Sequence, residues 1–122
     1  MTFFDHVHLC CTDLDAMINF WKQAFGAEFV SYRKFGGADG AVVTLSGVQI
    51  FLKKIPEGAP LPDGSACGVN HLGIRVDDPN IMAEKLVNEF GGKLLNKASD
   101  DCSFVAVPQG VTFELMRVGA EV

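Results

Sequence analysis

The stretch Asp5-His6-Val7-His8-Leu9 decides the fold, because a related stretch, Asn70-His71-Leu72-Gly73-Ile74, stands 65 residues further along the chain. The residues after each copy also match at the same offset. The matching features are an aspartate and a phenylalanine-glycine breaker: Asp13 with Asp78, and Phe25-Gly26-Ala27 with Phe90-Gly91-Gly92. The chain is therefore interpreted as a duplication of one structural unit.

Each half reads as a strand, a helix and three further strands. In the first half, residues 4–10 alternate as in a half-buried strand, and Thr12-Asp13 caps an amphipathic helix that ends before Gly26. In the second half, Asp78 and Pro79 open a helix that runs to Phe90. The other predicted strands are 27–35, 41–45, 48–53, 69–76, 93–98, 102–107 and 111–118.

These patterns predict an α+β fold with the order βαβββ in each half. A chain of 122 residues with 48% hydrophobic residues is long enough for one sizeable core and short for two ordinary domains. We expect one domain, residues 1–122, in which module one covers about 1–55 and module two about 69–119. The Pro- and Gly-rich segment at about 56–68 is the predicted linker.

Composition narrows the choice of partner. The net charge is −5 and no run of Lys or Arg is present, which disfavours nucleic acid and membrane surfaces and favours a small-molecule ligand. No segment approaches the roughly 20 apolar residues of a membrane span. The four cysteines show no disulfide pattern, so a soluble, cytoplasmic protein with reduced thiols is expected.

His6 and His71 occupy equivalent places in the duplicated strands and will meet if the halves pack about a pseudo-two-fold axis. The last strand adds Glu114. Two imidazole nitrogens and one carboxylate oxygen suit a divalent first-row metal ion and leave open positions for substrate. The alternative is two strand histidines that bond to backbone groups, with a solvent-facing glutamate.

Two further polar residues share these faces by strand parity. His8 stands two residues from His6 and is the candidate general base or substrate contact, although a polar residue on a wet sheet face is the alternative. Arg75 shares the face of His71 and would meet a carboxylate or phosphate on the ligand.

The motifs together resemble the vicinal oxygen chelate superfamily, which includes glyoxalase, fosfomycin-resistance, bleomycin-resistance and extradiol dioxygenase proteins. The resemblance covers nearly the whole chain. The similar motifs are Asp5-His6-Val7, Asp13-Leu14-Asp15, Asn70-His71-Leu72, Pro108-Gln109-Gly110 and Phe113-Glu114-Leu115.

This resemblance implies a cupped mixed β-sheet with the helices on its outer face. It also implies a metal site of His6, His71 and Glu114 that holds Mn, Ni, Zn, Mg or Fe as a Lewis acid for a substrate with vicinal oxygens. Family members of this length commonly form homodimers. In such a dimer His6 would come from one chain, and His71 with Glu114 from the other.

At the fourth ligand position, this sequence departs from the pattern of the glyoxalases. A glycine-anchored alignment of the last strands of the two halves places Phe51 opposite Glu114, whereas the constant offset places Gln49 there. Phe51 is favoured, which leaves three ligands. Phe51 and Phe104 would then form a partly apolar pocket floor beside the metal.

Three functions are implied by the resemblance. The first is a metal-dependent lyase, isomerase or transferase of the glyoxalase type. The second is a metal-free drug or metabolite binding protein of the bleomycin-resistance type. The third is an extradiol dioxygenase, which the absence of a late-strand tyrosine disfavours, since the only tyrosine is Tyr32 and Phe104 stands at the late position.

Overall fold

The computed structural model describes residues 4–58, 69 and 71–121, and the chain divides into two compact units, residues 1–64 and 65–122. The first unit contains β1 (His6–Cys11), α1 (Leu14–Phe25), β2 (Glu28–Phe35), β3 (Ala38–Leu45) and β4 (Val48–Lys54). The second contains β5 (Leu72–Val76), α2 (Pro79–Phe90), β6 (Lys93–Ser99), β7 (Cys102–Ala106) and β8 (Thr112–Arg117). The predicted α+β class and the two βαβββ modules are confirmed.

The repeated aspartates and glycines bound the two helices. Asp13 accepts a hydrogen bond from the Ala16 backbone nitrogen at 3.0 Å, and Asp78 accepts from Asn80 at 2.9 Å. Gly26 and Gly91 end the helices in the left-handed conformation, with φ of 74° and 70°, which glycine adopts without steric cost. The duplication therefore gives both helices the same kind of cap at each end.

The two sheets have the same strand order, β1-β4-β3-β2 and β5-β8-β7-β6. In each, the first strand of the module is parallel to the last strand and the remaining pairs are antiparallel. Helix α1 packs on β3 and β4, where Ala41, Val43 and Leu52 are fully buried. Since side chains alternate between faces, residues of opposite parity lie on the sheet face away from the helix.

Most element bounds agree with the sequence prediction to within two residues, and two strands differ more. Strand β3 begins at Ala38 rather than residue 41, because Gly36 and Gly37 adopt positive φ and close a tight turn directly after Phe35. Strand β5 begins at Leu72 rather than residue 69.

Two sequence predictions fall largely outside the described residues. Most of the predicted linker, residues 59–68, is not described, and neither is Asn70 of the second motif. The single-domain organisation stays a prediction. No helix in the described ranges combines the length and the hydropathy that a membrane span requires.

Candidate functional site

The N-terminal sheet carries its predicted site residues on the face away from α1. In the β1–β4 register, His6 pairs with Gln49 and His8 pairs with Phe51. Directly paired residues point to the same side of a sheet, so these four side chains share one surface.

Two neighbours hold the His6 ring. Phe51 stacks on it, with ring centroids 3.8 Å apart and planes inclined by 15°. The Asp5 carboxylate lies 2.8 Å from His6 Nδ1, and because a carboxylate accepts, Nδ1 carries the proton. The other nitrogen, Nε2, is then the one with a lone pair to offer, as in histidines that bind a metal with a carboxylate behind them.

His8 lies beside the same aromatic surface. Its ring centroid is 4.7 Å from that of Phe35 and 6.1 Å from that of His6. Desolvation by its neighbours lowers the pKa of His8, and electrostatic interactions with His6 and with the cations Lys53 and Arg33 lower it further. The imidazole is therefore neutral at pH 7 and able to accept a proton.

The strand register distinguishes the two candidates for the fourth ligand position. His8 pairs with Phe51, and its counterpart in the repeat, Gly73, pairs with Glu114. Phe51 therefore stands at the position equivalent to Glu114, and a phenyl ring is no ligand. The Gln49 amide nitrogen donates to the Asp5 carbonyl at 3.3 Å.

In the C-terminal unit the structure brings His71 and Glu114 together. His71 Nε2 lies 3.4 Å from Glu114 Oε1, and both side chains are partly exposed. Gly73, which pairs with Glu114, leaves room for the neighbouring side chains, since a Cβ there would lie 2.8 Å from the terminal methyl of Met116. Glu114 Oε1 lies 4.0 Å from the same point, so the carboxylate stands beside Gly73.

Cys102 holds the second carboxylate oxygen, a role that the sequence reasoning missed. Its thiol donates to Glu114 Oε2 at 3.4 Å. Burial and the Glu114 carboxylate raise the pKa of Cys102, so the thiol stays protonated at neutral pH and remains a donor. Strand parity could have indicated it, because Cys102 shares a face with Phe104, the residue paired with Glu114.

The two remaining predicted residues of this unit have different surroundings. The Phe104 ring stands edge-on to His71, with centroids 5.3 Å apart, and so lies beside the candidate ligands. Arg75 Nη1 donates to the carbonyls of Arg117 and Ala120 at 2.8 and 2.7 Å. These bonds tie the Arg75 guanidinium to the end of β8, and its contact with a ligand stays a prediction.

Two residues of β2, which the sequence reasoning did not select, complete the aromatic surface of the N-terminal unit. Phe35 packs on Phe51 with centroids 5.4 Å apart. The Arg33 guanidinium carbon lies 4.7 Å from the Phe35 centroid and 5.0 Å from that of Phe51. Arg33 and Phe35 stand two residues apart in β2, so the sequence could indicate that they share a face. Their contact with Phe51 of β4 could not be predicted, because it depends on how β2, β3 and β4 pair.

The donor chemistry of the C-terminal pair fits a divalent metal ion. Two ligands about 2.1 Å from one tetrahedral ion lie roughly 3.4 Å apart, which matches the 3.4 Å between His71 Nε2 and Glu114 Oε1. Within the described ranges, no cluster of three or more His, Cys, Asp or Glu side chains is arranged to hold a metal ion. The third predicted ligand, His6, belongs to the other unit.

Comparisons with known proteins agree with the predicted fold and family. Residues 2–116 match the family model described as Glyoxalase-like domain. A search of curated protein sequences found no significant match.

Three solved structures illustrate the structural similarity. Trypanothione-dependent glyoxalase I from Leishmania major is 17% identical, with a TM-score of 0.75 over 96% of this chain and 87% of that one. The second is a mutant of FosX, a fosfomycin resistance protein from Listeria monocytogenes, complexed with Mn(II) and 1S,2S-dihydroxypropylphosphonic acid. It is 16% identical, with a TM-score of 0.73 over 96% of this chain and 92% of that one. A glyoxylase/bleomycin resistance protein/dioxygenase domain from Frankia sp. EAN1pec is 19% identical, with a TM-score of 0.70 over 96% and 98%.

At these identities the structural matches establish the fold alone. The family match, in contrast, is a match of the sequence itself and spans nearly the whole chain. The chain therefore belongs to the glyoxalase-like domain family, in agreement with the resemblance of its motifs.

Proposed function

We propose that this protein is a divalent-metal-dependent enzyme of the glyoxalase type that acts on a small substrate with two adjacent oxygens. The observation that carries the proposal is the His71–Glu114 pair, whose nitrogen and oxygen lie 3.4 Å apart while Cys102 fixes the other carboxylate oxygen. His6, oriented by Asp5 and Phe51, is the proposed third ligand.

Each neighbouring residue has a proposed role of its own. A bound ion would supply Lewis-acid stabilisation of an oxyanion on the substrate. Phe51 and Phe104 hold the two imidazoles by stacking and edge contacts and present apolar surface to the substrate. His8 lies on the face of His6 and is the proposed proton acceptor or substrate contact.

The proposed ion is Mn(II), Ni(II), Zn(II), Mg(II) or Fe(II). Two imidazoles and one carboxylate with open positions suit the first-row transition ions of this set better than Mg(II), which prefers oxygen ligands. Mn(II) is the first probe, because the Listeria FosX mutant was solved with it. We propose further that the protein forms a homodimer in which His6 of one chain joins His71 and Glu114 of the other. The cytoplasmic location stays a prediction.

Metal titration tests the proposal. Mn(II) binding, followed by the electron paramagnetic resonance signal of the free ion, should show one site per chain in the wild type. His6→Ala, His71→Ala and Glu114→Ala should each weaken binding by roughly 100-fold or more. His8→Ala is the matched control, because it removes an imidazole from the same strand face and should keep the metal.

Turnover is then screened by NMR with small molecules that carry adjacent oxygens, fosfomycin among them. His8→Gln should keep the metal and lose turnover. Equal Mn(II) binding by the wild type and all three ligand variants would overturn the metal site.

The aromatic surface of the N-terminal unit favours a second function, that of a binding protein without chemistry. The rings of His6, Phe35 and Phe51 pack together on one sheet face and offer a stacking platform for a planar or apolar ligand. Ligand binding that survives both EDTA and His71→Ala would support this alternative. Binding that both treatments abolish would contradict it.

A further inference from the structure

We propose that Arg33 and Lys53 form an anion-binding subsite at the edge of the aromatic surface, so that the ligand carries a carboxylate, phosphate or phosphonate besides its metal-binding oxygens. This inference rests on the proposed function for the position of the ligand. It adds the class of substrate.

The strand register places both cations in one row across the N-terminal sheet. Lys53 of β4 pairs with Cys10 on one side and with Gly40 on the other, and Gly40 pairs with Arg33 of β2. The neighbouring row contains His8 and Phe51, two residues away along β1 and β4, so the cations share the face of the candidate site. Lys53 and Arg33 thus flank a glycine, one row away from His8.

Gly40 creates the space that this arrangement needs. A Cβ at Gly40 would lie 2.3 Å from two ring carbons of Phe35, which means that the Phe35 ring lies directly over the glycine. From there it contacts Phe51 and His8, with centroids 5.4 and 4.7 Å away. The ring fills the gap between the two cations and gives the Arg33 guanidinium a surface to stack on.

Contact with two aromatic rings leaves the Arg33 side chain exposed to solvent. The guanidinium carbon lies 4.7 and 5.0 Å from the centroids of Phe35 and Phe51, and the side chain is exposed. A guanidinium that stacks by its face keeps its N–H groups directed outward, where they match an oxyanion in a bidentate manner. The aromatic contacts also limit the entropy lost on binding.

Neither cation is neutralised by the residues that the structure describes. Other basic side chains near strand ends are paired: Lys34 with Asp39, Lys97 with Asp100, and Arg117 with Asp101. For Arg33 and Lys53, no carboxylate lies within ion-pair distance in residues 4–58, 69 and 71–121. Two cations without a carboxylate partner among the described residues would attract an anion.

The test uses hydroxamates, which chelate a metal through two adjacent oxygens. Acetohydroxamate has no further charge, phosphonoacetohydroxamate adds a phosphonate and succinic monohydroxamate adds a carboxylate. Affinities for the Mn(II)-loaded protein are measured by calorimetry. We expect an anionic hydroxamate to bind at least about tenfold more tightly than acetohydroxamate, as charge-assisted hydrogen bonds allow. The anionic hydroxamate with the larger gain in affinity identifies whether the subsite prefers a phosphonate or a carboxylate.

Arg33→Ala should remove most of this advantage and leave acetohydroxamate binding unchanged, and Arg33→Lys should retain part of it. Lys53→Ala should reduce the advantage as well. The matched control is Lys34→Ala, which removes the adjacent β2 cation on the opposite face and should change neither affinity. An advantage that is absent in the wild type, or unchanged in Arg33→Ala, would overturn the subsite.

A metal-free experiment separates this inference from the proposed function. Inorganic phosphate is titrated into the apoprotein while the side-chain N–H resonances of Arg33 are followed by NMR. Saturable shifts that disappear in Lys53→Ala would support the subsite even if the protein binds no Mn(II), in which case only the proposed function fails. Shifts spread evenly over exposed lysines, with none specific to Arg33, would overturn it.

Discussion

At the residue scale, Glu114 is held by a different partner at each oxygen. Oε1 faces His71 Nε2 and Oε2 accepts from the Cys102 thiol, both at 3.4 Å. Removing the thiol frees the carboxylate to rotate away from His71. We therefore expect Cys102→Ala to weaken Mn(II) binding by roughly tenfold, the loss typical of residues that orient a metal ligand.

Cys102→Ser should restore most of this affinity, because a hydroxyl also donates to the carboxylate. Cys11→Ala serves as the control, since Cys11 is an equally buried thiol in the other unit. If Cys102→Ala and Cys11→Ala bind Mn(II) equally well, the thiol contributes nothing to the metal site.

The adjacent thiols Cys10 and Cys11 differ in reactivity for a physical reason. Cys10 is exposed, whereas Cys11 is buried and its thiol donates to the Lys53 carbonyl at 3.5 Å. Burial raises the pKa of Cys11 to about 11. Because the thiolate is the reacting form, alkylation of Cys11 should be slow at neutral pH and should rise toward pH 11.

Iodoacetamide labelling followed by peptide mass spectrometry measures both thiols in one digest. At about pH 8, Cys10 should be modified at least roughly tenfold faster than Cys11. The same experiment in urea is the control, since unfolding should make the two rates equal. Equal rates in the folded protein would show that Cys11 is not protected.

His6 and His71 could be proposed as ligands from the sequence because they are part of a repeat. His6 and His71 are equivalent by their constant offset, and parity along one strand places His8 beside His6. The contacts of Arg33 and Cys102 could not be predicted from the sequence. Each contact joins residues on different strands, and the register between those strands is set only when they pair. A one-residue shift of register would move either side chain to the opposite face.

At the element scale, Gly40 connects the folding of the N-terminal sheet to its aromatic surface. A methyl group there would lie 2.3 Å from the Phe35 ring and 2.7 Å from the Leu52 carbonyl oxygen. Gly40→Ala should therefore lower the free energy of unfolding by about 1–3 kcal/mol, the usual range for overpacking. Urea denaturation followed by circular dichroism measures the change.

A double-mutant cycle shows whether the Phe35 ring is responsible. In a Phe35→Ala background the ring clash is gone and only the contact with the Leu52 carbonyl remains, so the cost of Gly40→Ala should become smaller. An unchanged cost in both backgrounds would mean that the Phe35 ring does not lie over Gly40.

Helices were easier to predict than strand starts. Asp13 and Asp78 cap the helices and Gly26 and Gly91 end them, so local chemistry marks both ends. Strand β3 begins three residues earlier than predicted, because the Gly-rich segment after Phe35 looks like a long loop while only Gly36 and Gly37 form the turn. Residues 38–40 join β3 because they pair with β2, although they do not show the alternation of apolar and polar residues that is typical of a strand.

At the scale of the whole molecule, the two units have the same scaffold and different surfaces. Where the first unit has Phe51 paired with His8, the second has Glu114 paired with Gly73. The first unit thus presents aromatic rings, two imidazoles and cations, and the second presents a carboxylate beside one imidazole and one aromatic ring. Neither unit contains all three proposed ligands. The metal site therefore depends on whether the ligands come from one chain or from two.

Complementation between variants distinguishes a site shared by two chains from a site within one chain. In a homodimer with shared sites, His6→Ala has an intact C-terminal pair and Glu114→Ala has an intact His6. Each variant alone should leave its sites empty at an Mn(II) concentration that just fills the wild type, because every site lacks one ligand and binds roughly 100-fold more weakly. When the two are coexpressed, a mixed dimer has one site with all three ligands and one that lacks both His6 and Glu114, so about a quarter of the wild-type Mn(II) should return.

The control places both substitutions in one chain and coexpresses it with the wild type. In a mixed dimer each shared site then lacks one ligand, so only wild-type homodimers bind and about a quarter of the sites are filled. Ligands that all come from one chain give a different pair of results: no recovery in the first mixture, because each chain is defective, and half occupancy in the control. The two mixtures together therefore distinguish a shared site from a site within one chain.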